Sequence, residues 1–341
     1  MAEGRTGFVT GGTWCVDYNK LVAFWPGEDG IAEIEVVERR GGGSGCNFAV
    51  DMRKLDPEMP VETITLVGDD PDGRFLQAEA DSFGIGREQM HVTAAVPTQY
   101  TDAYGSRQSG RRTHLYYPGT ASILTPDHFD FSCTTARILH LGLPGVHRLM
   151  DAAWGEDANG WVTTLRRARA AGLRTNMELA SLPAARLASL IHPCLPHLDT
   201  LIVNDYEIGA LSGEATLHDG TTDVAACERA VRAVQDRGGL DLAIAHFPLG
   251  AVAAARGGVV MRFPSLRVPP EAIAAANGAG DAFAAGALYG IHELWNLPDL
   301  LALAAATAAA SLRALSTTGS VTTWQKSLEL AQRWGFRDMP I

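Results

Sequence analysis

A chain of 341 residues has room for one large α/β unit or two ordinary ones, and its composition is that of a globular enzyme. A net charge of −11, with lysine only at Lys20, Lys54 and Lys326, excludes a general nucleic-acid binder, which needs clustered Lys and Arg. No hydrophobic signal core follows Met1, and the longest apolar run, 300–312, is too short for a bilayer, so a cytoplasmic protein with no membrane partner is expected.

Residues 7–16 read as a strand that delivers Asp17 to its end, where an acidic group either holds sugar hydroxyls or opens the turn at Tyr18-Asn19. The next run, 31–37, alternates apolar and charged residues, the pattern of a strand with one wet face. A glycine cluster, Gly41-Gly42-Gly43-Ser44-Gly45, then enters a helix reaching about Leu55. Such glycines let backbone approach a ligand, and Asn47 is placed to cap the helix or bind a hydroxyl; a flexible turn is the plainer alternative. Residues 63–68 form a buried strand, followed by a turn and a helix over 74–83, which is the α/β unit. Two short strands at 96–104 and 112–117 carry Tyr100, Tyr104, Tyr116 and Tyr117. A hairpin of this kind covers a cleft as a lid or packs a dimer interface.

Alternation resumes with a strand at 138–141, helices over 146–153 and 161–171, and a short polar strand end at 174–178. His192, Cys194 and His197 are three potential zinc ligands, but two prolines and the lack of a second ligand pair favour a loop. The five cysteines are scattered without C-x-x-C spacing and are expected to be reduced. A strand at 198–203 runs into Asn204-Asp205-Tyr206-Glu207. Beside a phosphate site, Asn204 and Glu207 would hold Mg²⁺ through its waters; the same spacing is also a capping box, Asn at the cap and Glu three residues on. A helix over 223–237, strands at 242–246, 250–255 and 259–263, and a last alanine-rich helix over 297–315 complete the chain.

Asn277-Gly278-Ala279-Gly280-Asp281 opens an alanine-rich helix and carries the strongest chemical signal. The free first amides and the macrodipole of a helix welcome a phosphate, and Gly278 and Gly280 let it come close. Asp281 is repulsive there unless it handles a proton, which makes it a general base; as a simple helix cap it would be equally at home. Gly278-x-Gly280 ends at Phe283 where a dinucleotide fingerprint needs glycine, which disfavours a Rossmann dehydrogenase, and the absence of Gly-Lys-Ser/Thr excludes a Walker loop.

Taken together, Gly42-Gly43 with Asn47-x-Ala49, Val67-Gly68-Asp69-Asp70-x-x-Gly73, Gly110-x-Arg112-Thr113-His114-Leu115-Tyr116-Tyr117, His140-Leu141-Gly142, Asn204-x-x-Glu207 and Asn277-Gly278-Ala279-Gly280-Asp281 resemble, in order and spacing, the ribokinase-like (PfkB-type) carbohydrate kinases. The resemblance spans nearly the whole chain. It implies a single α/β domain over 1–341, a three-layer α/β/α fold with a mostly parallel central sheet, and a small β-sheet lid drawn from about 15–40 and 95–122. It also implies ATP as donor with Mg²⁺, and a sugar hydroxymethyl group as acceptor. On this resemblance Asp281 is the base, the amides of Gly278, Ala279 and Gly280 form the anion hole, and Asn204 and Glu207 organise Mg²⁺ and phosphates. Asp17, Gly42, Gly43 and Asn47, with Tyr104, Arg112 and Tyr116 from the lid, hold the acceptor. Asn176, His246, Gly250, Asn277 and Thr307 stand on the nucleotide side, where the chain departs most from the family's usual residues. Two alternatives stand beside this reading: a nucleoside kinase with a base stacked on Trp14, Tyr104 or Tyr116, and a catalytically silent ligand-binding relative. A homodimer through the lid is a further implication.

Overall fold

The computed structural model describes residues 4–109, 111–274, 277–314 and 316–339. In chain order the first half comprises β1 (Phe8–Gly12), β2 (Cys15–Val22), β3 (Ile34–Gly42), α1 (Ser44–Leu55), β4 (Val61–Gly68), α2 (Pro71–Ser82), β5 (Gly86–Thr93), β6 (Tyr100–Ser106), β7 (Arg112–Tyr117) and β8 (Ile138–Gly142). The second half comprises α3 (Arg148–Asp151), α4 (Gly160–Ala170), β9 (Arg174–Met177), α5 (Ala184–Ile191), β10 (Thr200–Asn204), α6 (Asp205–Ser212) and a hairpin of β11 (Leu217–His218) with β12 (Thr221–Thr222). It ends with α7 (Val224–Gly238), β13 (Leu242–Phe247), β14 (Gly250–Ala255), β15 (Val260–Pro264), α8 (Ala279–His292), α9 (Leu297–Ser311) and α10 (Trp324–Trp334).

Nine strands form one sheet in the order β15-β14-β13-β10-β9-β8-β1-β4-β5, parallel from β13 to β5 and antiparallel only at β14 and β15. Buried parallel strands such as Ile138–Gly142 are apolar on both faces, so both faces need helices. One core joins Val9, Leu139 and Leu201 to Trp161, Leu187 and Val231. The alternate residues Phe8, Ile138 and Ile202 join Phe48, Leu76 and Leu301 in the other, which makes three layers. The alanines of α8 and α9 bring those helices close: a Cβ at Gly286 would lie 2.8 Å from the Ala304 Cα. No helix among the described residues is long and apolar enough to cross a membrane.

Strands β3-β2-β6-β7 make a separate small sheet. The continuous strand expected over 7–16 is therefore two strands in two sheets. Gly12, at φ +104°, makes the turn between them, and a Cβ there would run into the Gly142 carbonyl. The helix expected over 297–315 stops at Ser311, with Leu315 outside the described residues. It is not the last: α10 follows, capped by the Thr323 hydroxyl.

Candidate active site

The C-terminal ends of the parallel strands, where open α/β sheets bind ligands, meet the N-termini of α1, α6 and α8. Helix α8 starts at Gly278 with φ 73°, a left-handed conformation in which a Cβ would run into the Thr317 carbonyl. No side chain caps it, so its first amides carry the partial positive charge of the dipole without a side-chain acceptor. Asp281 lies in that first turn but does not cap it. Its carboxylate accepts from Asn47 Nδ2 at 2.8 Å and pairs with Glu178. Asn47 is likewise no cap, because the N-cap of α1 is Gly43, and its Oδ1 accepts from the Thr317 hydroxyl at 3.0 Å.

Asp17 approaches from the small sheet. A Cβ at Gly42 would run into its carboxylate, and the Cys15 thiol donates to it at 3.5 Å. Burial pushes Asp17 up to about 6, with the Asp281 charge adding to the rise. Register places Asp17 in a row with Thr101 and Tyr116, whereas Tyr104 pairs with Lys20. Side chains alternate along a strand, so Tyr104 belongs to the opposite face from Asp17, packed against Trp25 at 5.7 Å, and the acceptor role expected of it is not met there. Arg112 opens β7, but its side chain, like Gly110, Ala275 and Ala276, lies outside the described part.

On the other side of α8 lies a cavity of about 440 Å³, walled by Asn204, His246, Gly250, Ala279, Gly280 and Phe283 among others. The His246 ring packs on Phe283 at 5.1 Å, and burial pulls it down to about 4, so it is neutral at pH 7. Three residues expected on this side are not on the cavity wall. Asn277 sits in the turn before Gly278. Thr307 is fully buried in α9 with its hydroxyl donated to the Leu303 carbonyl, and Asn176 is fixed inside the sheet between His140 and Thr200. Asn204 and Glu207 form the reciprocal capping box of α6: Glu207 N donates to Asn204 Oδ1 at 2.8 Å and Asn204 N to Glu207 Oε2 at 3.0 Å. The Ser181 hydroxyl donates to the other Glu207 oxygen, and burial pushes the carboxyl up to about 7. The described residues contain no cluster of three or more His, Cys, Asp or Glu fit to hold a metal ion.

Sequence reasoning passed over two members of the site. Glu178 follows β9 and contacts Asp281; His140, in an otherwise apolar β8, bonds Glu178 at 2.9 Å. A histidine inside Ile-Leu-His-Leu-Gly and a glutamate at a strand end were the available signals.

A family model described as pfkB family carbohydrate kinase matches residues 12–324. No curated protein matches the chain. Among solved structures, ribokinase from Arabidopsis thaliana complexed with ribose and ATP is 19% identical with a TM-score of 0.77, over 96% of this chain and 98% of that one. Ribokinase from Cryptococcus neoformans in complex with ADP is 19% identical at a TM-score of 0.75, over 96% and 99%. Nucleoside kinase from Burkholderia thailandensis in complex with inosine is 16% identical at 0.72, over 97% and 100%.

Proposed function

The chain belongs to the pfkB family of carbohydrate kinases and is a phosphotransferase, and we propose that it moves the γ-phosphoryl group of ATP onto the hydroxymethyl group of a sugar or sugar-like small molecule. One observation carries this reading. The first turn of α8 presents Asp281 to Asn47 on one side and the backbone of Ala279 and Gly280 to the cavity on the other. A base and an anion hole are thus joined in one rigid element between an acceptor side and a donor side. Asp281 takes the proton of the acceptor hydroxyl, and the amides of Gly278, Ala279 and Gly280 stabilise the transferring group. Each such donor is worth about 3 kcal/mol, and the remaining requirement is positioning. Asp17, Gly42, Gly43 and Asn47 hold the acceptor beneath the small sheet, which acts as its lid with Tyr116 and Arg112.

The nucleotides bound by the two ribokinases support ATP as donor. For Mg²⁺, the Asn204 and Glu207 oxygens already accept capping bonds, and their remaining lone pairs fit contacts to coordinated water rather than to the ion itself. A metal held there supplies charge neutralisation at the phosphates. Glu207→Gln preserves the capping box, so its expected result is a several-fold higher Mg²⁺ requirement at nearly unchanged melting temperature. A fall in melting temperature with an unchanged Mg²⁺ requirement would reduce the pair to a cap.

Val37, Leu115 and Tyr117 are exposed on the face of the small sheet opposite Asp17, and Ile34 and Val36 on the Asp17 face; this apolar exposure favours a homodimer formed through the small sheet. The nucleoside reading loses two stacking platforms, because Trp14 is buried and Tyr104 faces away from Asp17. A panel of sugars and nucleosides with ATP, followed by ADP release, tests the assignment. Turnover on nucleosides alone would overturn it, and ligand-induced thermal shifts without turnover would indicate a silent relative.

A further inference from the structure

The polar chain behind Asp281 fixes its own protons. Asn176 Nδ2 donates to the Thr200 hydroxyl at 3.2 Å and carbonyl at 3.3 Å, which turns Asn176 Oδ1 toward His140 Nδ1 at 2.8 Å. An amide oxygen only accepts, so Nδ1 carries the hydrogen. The ring is fully buried, stacked on Phe48 at 4.1 Å and pulled down to about 4, and is therefore neutral with a bare Nε2. Glu178 Oε2 stands 2.9 Å from that nitrogen. Two acceptors cannot bond, so this contact needs a proton on Glu178. The Asp281–Glu178 contact joins two carboxyl groups and needs a second proton.

We propose that Glu178, tethered through His140 and Asn176 to the sheet, is a positioning residue for Asp281: the two carboxyls share a proton, and Asp281 becomes a base only when the chain gives one up. This rests on the reading of Asp281 as the base. In the resting chain the Asp281 proton is donated to Glu178, and the Glu178 proton to His140 Nε2. Loss of one proton to solvent leaves the pair with one negative charge and one shared proton, and Asp281 accepts from Asn47 and acts as a base when that proton sits on Glu178. During transfer the acceptor hydroxyl gives its proton to Asp281 as its oxygen bonds the γ-phosphorus and the bond from that phosphorus to the bridging oxygen of ATP breaks, with ADP leaving; this restores the two-proton chain, and one proton is again released before the next turnover. Burial holds Asp281 well above the ordinary carboxylate range, with the Glu178 charge next, and Glu178 itself is pushed up to about 7. The charges around the pair are mostly acidic: the Glu207 charge of α6 raises Glu178, the Asp281 charge raises Asp17 of β2 and Asp51 of α1, His140 of β8 opposes at Asp281, and the partly buried Lys54 of α1 opposes at Asp51.

Glu178→Gln removes the shared proton and the like charge while keeping the shape and a donor. The acid limb of kcat/KM for the acceptor is expected to move at least one pH unit lower, so that activity relative to the parent rises about tenfold between pH 8 and pH 6. A role in packing alone would lower activity by the same factor at every pH, and that result would overturn the proposal. Carboxyl ¹³C NMR of the free protein decides the matter without substrate. The Asp281 and Glu178 resonances are expected to titrate together in the parent, and Asp281 at lower pH in Glu178→Gln; an Asp281 titration unmoved by the substitution would also overturn it. If no acceptor is ever phosphorylated, the kinase reading fails while the NMR result on the pair stands.

Discussion

Replacing Asp281 by Asn is expected to lower kcat at least about a hundredfold while leaving the fold and acceptor binding intact. The substitution is conservative in space. The amide that replaces the carboxylate keeps an oxygen for Asn47 Nδ2 to bond, and α8 needs nothing from this side chain because no side chain caps it. What disappears is the ability to hold a proton. A positioned base contributes about 10²–10⁴ in rate, and the amides of the same turn are untouched, so the residual turnover measures the anion hole and positioning alone. The check is steady-state ADP release with the best acceptor of the panel, alongside a melting curve and an acceptor-binding isotherm. Near-normal turnover would remove Asp281 from the chemistry.

The parts of this site legible in the sequence are those written over a few consecutive residues. Gly278-Ala279-Gly280-Asp281 announces a helix N-terminus with a carboxylate, and Asn204-x-x-Glu207 a capping box, because cap chemistry is local. Strand β5 escaped notice because Gly-Arg-Glu-Gln-Met-His-Val-Thr shows little apolar run; it survives as a strand by pairing with β4 at the sheet edge. The face on which Tyr104 lies depends on a register between strands about 85 residues apart, which no local pattern encodes. Thr307 and Asn176 read as ligand contacts only until their partners are known, since both spend their polar atoms inside the protein. The Glu178–His140 contact spans 38 residues and is created by the adjacency of β8 and β9. Local chemistry thus pointed to the turn at the start of α8, and the sheet supplied the neighbours Glu178 and His140 that no local pattern names.

The same crowding of carboxyls predicts an unusual pH response of stability. Asp51, one turn beyond Asn47 on α1, is fully buried, and neither of its oxygens has a hydrogen-bond partner among the described residues. Burial first, then the charges of Asp281 and Glu178, hold it well above the ordinary carboxylate range, with only Lys54 opposing. A carboxyl whose value is raised on folding favours the folded protein at low pH. That contribution is complete below the unfolded value of about 4 and is lost as pH rises through the folded one. Asp17 at about 6 and Glu178 and Glu207 at about 7 act in the same sense, so the melting temperature is expected to fall between pH 6 and pH 8. Asp51→Asn stays neutral throughout. At pH 8 it should therefore stabilise the protein by about 1–3 kcal/mol, because only the carboxyl bears the cost of staying protonated, or of ionising while buried, where the unfolded chain is ionised, and by much less at pH 5. Thermal melts of both proteins across this range provide the measurement. Destabilisation of equal size at both pH values would mean that the Asp51 carboxylate has a stabilising partner after all, and the physical account of this charge cluster would have to be reversed.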